Sequence, residues 1–159
     1  MGRPVLLNSC ARATTRAESQ FRIDYPLPPA RATRVVALDD ESLAVVRVVA
    51  SEPWAQASFF TAAEQGRTLL SLEGEESPLR DVLHGVDTLV MVAATGENLD
   101  AAATIGDACS RLGVMTAGLV LSSFGLTSDA LLALRPYARI LMVPAEPDDL
   151  VELLRAMRA

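Results

Sequence analysis

Short unbroken apolar runs alternate along this chain with segments whose apolar positions repeat at helical spacing. Arg34-Val35-Val36-Ala37-Leu38 is one such run, and Thr88-Leu89-Val90-Met91-Val92-Ala93 is the longest clean one. Residues 116–121 and 139–143 repeat the pattern. Continuous apolar runs of this length suit strands covered on both faces. Residues 57–61 and 68–72 are two further strand candidates, followed by an acidic turn, Glu73-Gly74-Glu75-Glu76. Leu99–Leu112 is predicted as a helix with Ala102, Ile105, Cys109 and Leu112 on its apolar face, and Gly113 stops it. After Pro144-Ala145-Glu146-Pro147, a last helix carries Leu150, Leu153, Leu154 and Met157 as its buried stripe. Asp148 and Asp149 in its first turn and Arg155 and Arg158 in its last match the helix macrodipole. A short helix is expected near Ser128–Leu134. Another follows Ser77-Pro78, read as an N-cap and a first-position proline, with Leu79, Val82 and Leu83 on one face. Residues 42–50 are apolar nearly all round and read as a helix closed by Glu52-Pro53, although Val45, Val46, Val48 and Val49 also favour strand.

Strands that alternate with helices require crossovers, and crossovers imply parallel neighbours. The expected fold class is α/β: a three-layer Rossmann-like domain with a mainly parallel sheet and helices on both faces. In such folds ligands bind beyond the carboxyl ends of the strands. The groups collected on that rim are Asp39, Asp40, Glu41 and Ser42, then Thr61, then Thr95, Gly96, Glu97 and Asn98, then Ser122 and Ser123, and Glu146.

Charge divides the chain. Residues 1–34 hold six arginines against two acids, a net +4; the remainder holds eight arginines against eighteen acids, a net −10. Pro26, Pro28 and Pro29 favour extended backbone. Residues 1–32 are therefore read as a basic, proline-ended arm, and residues 33–159 as one domain. The arm is either a solvated tail or a strap drawn to an acidic face of its own body or of a second copy. The 159 residues and overall charge of −6 suit one core and disfavour nucleic-acid binding, which needs a basic footprint. No stretch approaches the roughly 18 consecutive apolar residues of a membrane span. Residues 1–7 are too short in apolar core for a secretory signal, and Leu6 stands where a myristoylation site places Ser or Thr. Two cysteines distant in sequence, Cys10 and Cys109, do not suggest a disulfide framework, so a cytoplasmic setting is expected.

The residue inventory restricts the chemistry. All fourteen basic residues are arginine, which removes Schiff-base lysines, lysine nucleophiles and Walker-type phosphate loops. One histidine, His84, and two cysteines cannot build a Cys/His metal cluster. His84, before Gly85, is read first as a helix C-terminal residue, and no G-x-S-x-G elbow supports a serine triad. Cys109 is read as core and Trp54 as a packing residue. The turn Leu38-Asp39-Asp40-Glu41-Ser42 has no glycine and three carboxylates. Its plain role is to cap and charge the following helix, and its sharper one is a hard-cation site. Thr95-Gly96-Glu97-Asn98 is the better ligand candidate: Thr95 or Asn98 can cap the helix, and Gly96 lets backbone approach a ligand. Glu97 and Asp100 favour an ordinary capped turn, since they already occupy the dipole that an anion would use. The candidate ligand-binding residues are Asp39, Ser42, Thr95, Gly96, Glu97, Asn98, Ser122 and Ser123.

Two family resemblances follow. Leu83-His84-Gly85-Val86-Asp87-Thr88-Leu89-Val90-Met91-Val92-Ala93-Ala94 and Leu112-Gly113-Val114-Met115-Thr116-Ala117-Gly118-Leu119-Val120-Leu121-Ser122-Ser123-Phe124 resemble strand framework segments of the tubulin/FtsZ-type GTPases. That resemblance implies a nucleotide-binding domain, but Ala94-Thr95-Gly96-Glu97-Asn98-Leu99-Asp100 stands where those proteins carry a glycine-rich phosphate loop. It therefore implies a degenerate, truncated relative without GTPase activity. Thr95-Gly96-Glu97-Asn98 is also similar to the sugar-phosphate loop of phosphosugar isomerase domains, with Asn98 in place of a hydroxyl. The expected function is a non-catalytic binding or scaffold module, self-associating or bound to a protein partner. No cofactor is expected, and Mg²⁺ only alongside a nucleotide. The alternative is a sugar-phosphate- or nucleotide-binding enzyme domain using the Thr95–Asn98 loop and taking a small phosphorylated ligand.

Overall fold

A computed structural model describes residues 29–121 and 128–159. The chain order is β1 (Thr33–Ala37), α1 (Asp40–Ala50), β2 (Ala57–Ala63), a 3-10 turn (Glu64–Gly66), β3 (Thr68–Ser71), β4 (Glu76–Pro78) and α2 (Leu79–Val82). It continues with β5 (Thr88–Ala93), α3 (Leu99–Leu112), β6 (Met115–Leu121), α4 (Ser128–Leu134), β7 (Ile140–Ala145) and α5 (Pro147–Met157). Among the described residues the seven strands form one sheet in the order β4-β3-β2-β1-β5-β6-β7. The β2–β1, β1–β5, β5–β6 and β6–β7 pairs are parallel, with Val35 opposite both Phe59 and Val90. The β2–β3 and β3–β4 pairs are antiparallel.

Alternation along the strands divides the core in two. Val35 and Ala37 join Val90, Val92, Val46, Leu150 and Leu154 under α1 and α5. Val36, Leu89 and Met91 face the other way, onto Leu69, Ile105, Ala130 and Leu134 under α2, α3 and α4. Every residue of β5 is buried, as its unbroken apolar run requires. Leu89 and Met91 are fully buried, and each such side chain contributes about 1.5–3 kcal/mol. The result is the expected three-layer Rossmann-like α/β fold.

Residues 40–50 settle as helix despite their valines. Asp39 caps α1 through a box with Ser42, and Asp40 and Glu41 occupy its first turn. Val46 and Val49 are buried while Val48 is 71% exposed, so one stripe carries the packing. Three local expectations differ. Ser77-Pro78 does not open a helix: both residues belong to β4, and Pro78 occupies the N-cap position of α2 without a side-chain cap. Pairing of Leu69 with Ser77 outweighs the capping signal, and a short edge strand tolerates the proline. Pro144 lies inside edge strand β7 instead of in a turn after it. Leu112, placed by its spacing on the buried face of α3, is 56% exposed, because Gly113 ends the helix in a left-handed conformation (φ 70°) beyond the sheet's cover. No described helix is long and apolar enough to cross a membrane.

Candidate functional site

The strand order reverses between β1 and β5. Strand β1 leads through α1 on one face to β2 on one side, whereas β5 leads through α3 on the opposite face to β6 on the other side. Loops that leave adjacent strands for opposite faces open a crevice at their carboxyl ends, the usual ligand site of such sheets. The residues at this crevice are Asp39 after β1 and Ala94-Thr95 after β5.

Asp39 is 6% exposed and Ser42 is fully buried. Asp39 Oδ1 accepts the Ser42 N–H at 2.8 Å. Its Oδ2 accepts the N–H groups of Ala94 at 2.8 Å and Thr95 at 3.0 Å, across the crevice. Ser42 Oγ accepts the Asp39 N–H at 3.2 Å and donates to the Asp39 carbonyl at 2.9 Å. One carboxylate thus caps α1 and ties the β1 loop to the β5 loop. Adjacent backbone N–H groups after a strand are the donors with which such folds hold anions. Here the chain's own Oδ2 occupies two of them.

The other rim residues lie as follows. Thr95 Oγ1 accepts the Glu97 N–H at 3.4 Å, and Glu97 and Asn98 are exposed. Asn98 stands at the N-cap of α3 in a left-handed conformation (φ 60°) and makes no side-chain cap. Gly96 has φ 80°, and a Cβ there would lie 2.9 Å from the Ala130 nitrogen and 3.0 Å from Asp129 Cβ. Its lack of a side chain lets this loop pass close to the first turn of α4. Thr61 Oγ1 donates to the Ala37 carbonyl at 3.4 Å. Asp40 is exposed; Glu41 is half-buried, and its Oε2 is enclosed without a hydrogen-bond partner among the described residues. Glu146 sits at the end of β7, two strands beyond β5, and its N–H donates to Asp149 Oδ2 at 2.8 Å. Ser122 and Ser123 lie outside the described residues. The structure therefore brings Asp39 and Ser42 to Thr95, and it leaves Glu146 apart. Sequence reading anticipated the cap, but nothing in the sequence signals a bond from Asp39 to residues 55 and 56 positions later.

Titratable groups elsewhere are dispersed. His84 precedes β5, at the opposite end of the strands from the rim; it is exposed, and its N–H donates to the Asp81 carbonyl at 3.3 Å. Cys109 is buried on α3, and burial pushes its thiol up to about 12. Trp54 Nε1 donates to the Val49 carbonyl at 2.8 Å. Burial lowers the Arg34 pKa, and its Nη1 donates to the Thr33 carbonyl at 3.2 Å. Among the described residues no group of three or more His, Cys, Asp or Glu side chains is arranged to hold a metal ion. No protein-family model matches this sequence, and no curated protein matches it either.

Proposed function

We propose that this chain is a non-catalytic binding or scaffold module derived from a nucleotide-binding fold, working by self-association or by holding a protein partner. One observation carries the proposal: the Asp39 carboxylate accepts the Ala94 and Thr95 N–H groups at the switch point of the sheet. A phosphate approaching those donors would have to displace a buried carboxylate that already satisfies them. It would also meet Asp40 and Glu41 in the same turn, with no lysine anywhere in the chain to neutralise them. At 4 Å each like-charge pair costs about 4 kcal/mol at an effective dielectric of 20. The one imidazole of the chain stands at the far end of the sheet, so general acid–base chemistry at the rim has no histidine to use.

The test is thermal and chemical denaturation of the full chain with millimolar GTP, ATP, NAD and a panel of sugar phosphates, with and without Mg²⁺. The expected result is no saturable stabilisation and no phosphate release. A ligand present at a hundredfold excess over its dissociation constant would stabilise the fold by about 2.7 kcal/mol, and such a shift overturns the proposal.

A further inference from the structure

A groove on the face opposite α1 brings three exposed arginines together. Arg67 enters it from the start of β3, Arg80 from α2 and Arg111 from the last turn of α3. The groove has a volume of about 590 Å³ and an apolar floor that includes Leu79, Ala108 and Leu112. All three arginines are exposed, and none of the three forms an ion pair with a described residue. Asp107 is the single acid lining the groove. Three cations to one anion is the reverse of the whole chain, in which acids outnumber bases by twenty to fourteen. Leu112 is 56% exposed, in contrast to its i−3 neighbour Cys109, which is fully buried. A second hollow of about 520 Å³ shares Arg80 and Leu112 with the groove and runs on past Asp81, a second acid, and His84.

We infer that this groove is a docking site for an acidic peptide segment of a protein partner, one that places an apolar side chain against Leu112 between carboxylates facing Arg67, Arg80 and Arg111. Charge complementarity selects the acid, and the guanidinium fork suits carboxylates. Exposed ion pairs alone hold little, so a free small anion gains too little here to stay bound. A segment that also covers the apolar floor adds hydrophobic burial to the electrostatics. Two hollows joined at Arg80 and Leu112 match an extended occupant better than a compact one. This inference is independent of the occupied crevice at the rim. Nucleotide binding there would defeat the functional proposal above and leave the groove untouched.

A random peptide library selected on the full 159-residue chain tests it. The expected result is enrichment of sequences in which Asp and Glu flank a leucine or phenylalanine. That enrichment disappears when Arg67→Glu, Arg80→Glu and Arg111→Glu are combined. An enriched peptide, labelled and followed by fluorescence polarisation, is expected to bind at least about tenfold more weakly to Leu112→Ser and to the arginine variants, and more weakly at high salt. Arg135→Glu, an exposed reversal elsewhere, leaves binding unchanged, and all variants keep the wild-type melting temperature. Four outcomes overturn the inference: selection without acidic enrichment; equal weakening by Arg135→Glu; displacement of the peptide by inorganic phosphate alone; or a light-scattering mass that falls in the arginine variants, which makes a second copy the occupant.

Discussion

The crevice between β1 and β5 and the groove between α2 and α3 are opposites. At the crevice, a place where this kind of sheet usually receives an anion, the backbone donors are satisfied from within by Asp39. At the groove, which has no special standing in the fold, three guanidinium groups and a leucine face solvent without internal partners among the described residues. Buried polar groups are costly unless paired, so a satisfied site resists exchange of its partner for a ligand. Exposed charge beside apolar surface has no such internal commitment. Capacity for binding follows from which groups are left over, and topology alone does not locate them.

The largest expected effect comes from removing the carboxylate that distinguishes the two regions. Asp39→Ala takes the acceptor from three backbone N–H groups, loses the α1 cap, and unties the β1 loop from the β5 loop. The combined cost is about 3–5 kcal/mol, read as a shift in the urea midpoint. Asp39→Asn keeps one acceptor oxygen and costs less. An Asp39→Ala protein with the wild-type midpoint would mean that the crevice is not closed by this residue, and the contrast with the groove would fail.

Much of the parallel core was legible in advance. The unbroken run from Thr88 to Ala93 and the helical face of Ala102, Ile105 and Cys109 fix β5 and α3, because burial on both faces leaves one pattern and burial on one face leaves another. The antiparallel extension was not legible as such. β4 is three residues long and ends in proline, and its pairing with β3 is a tertiary fact that overrides a local capping signal. The exposure of Leu112 was equally hidden, since spacing gives the direction of a side chain but not where the neighbouring layer stops. At the rim, Asp39 announced itself as a cap. Its second role depends on β1 and β5 lying side by side, which is a matter of strand order and not of any short motif. The groove drew on Arg67, Arg80 and Arg111, residues 13 and 31 positions apart, with no periodic relation to mark them.

A smaller effect separates packing from ligand contact at Gly96. Were its bare backbone kept for a ligand, Gly96→Ala would leave the empty fold intact. The positive φ and the 2.9 Å approach to the Ala130 nitrogen predict instead a loss of about 1–3 kcal/mol without any ligand present. Calorimetric unfolding reads this directly, and an unchanged melting temperature would return Gly96 to the list of ligand-facing residues.

The smallest effect tests whether the groove is a fixed surface or a door into the core. Cys109 lies on α3 one residue from Ala108 in the groove floor, yet it packs inward among Ile105, Val114 and Leu134. Its thiol is raised by burial from 9.0 to about 12, so folding favours the neutral form. The sign follows from proton linkage: this contribution is fully present below about pH 9, the unfolded value, and is lost as pH rises through the folded value near 12. In a Cys10→Ser variant, iodoacetamide at mildly alkaline pH should therefore leave Cys109 unmodified in the folded protein and label it fully in urea. Brisk labelling without denaturant would mean that α3 lifts from the sheet, and that the groove opens and closes with the helix on whose outer face Arg111 and Leu112 stand.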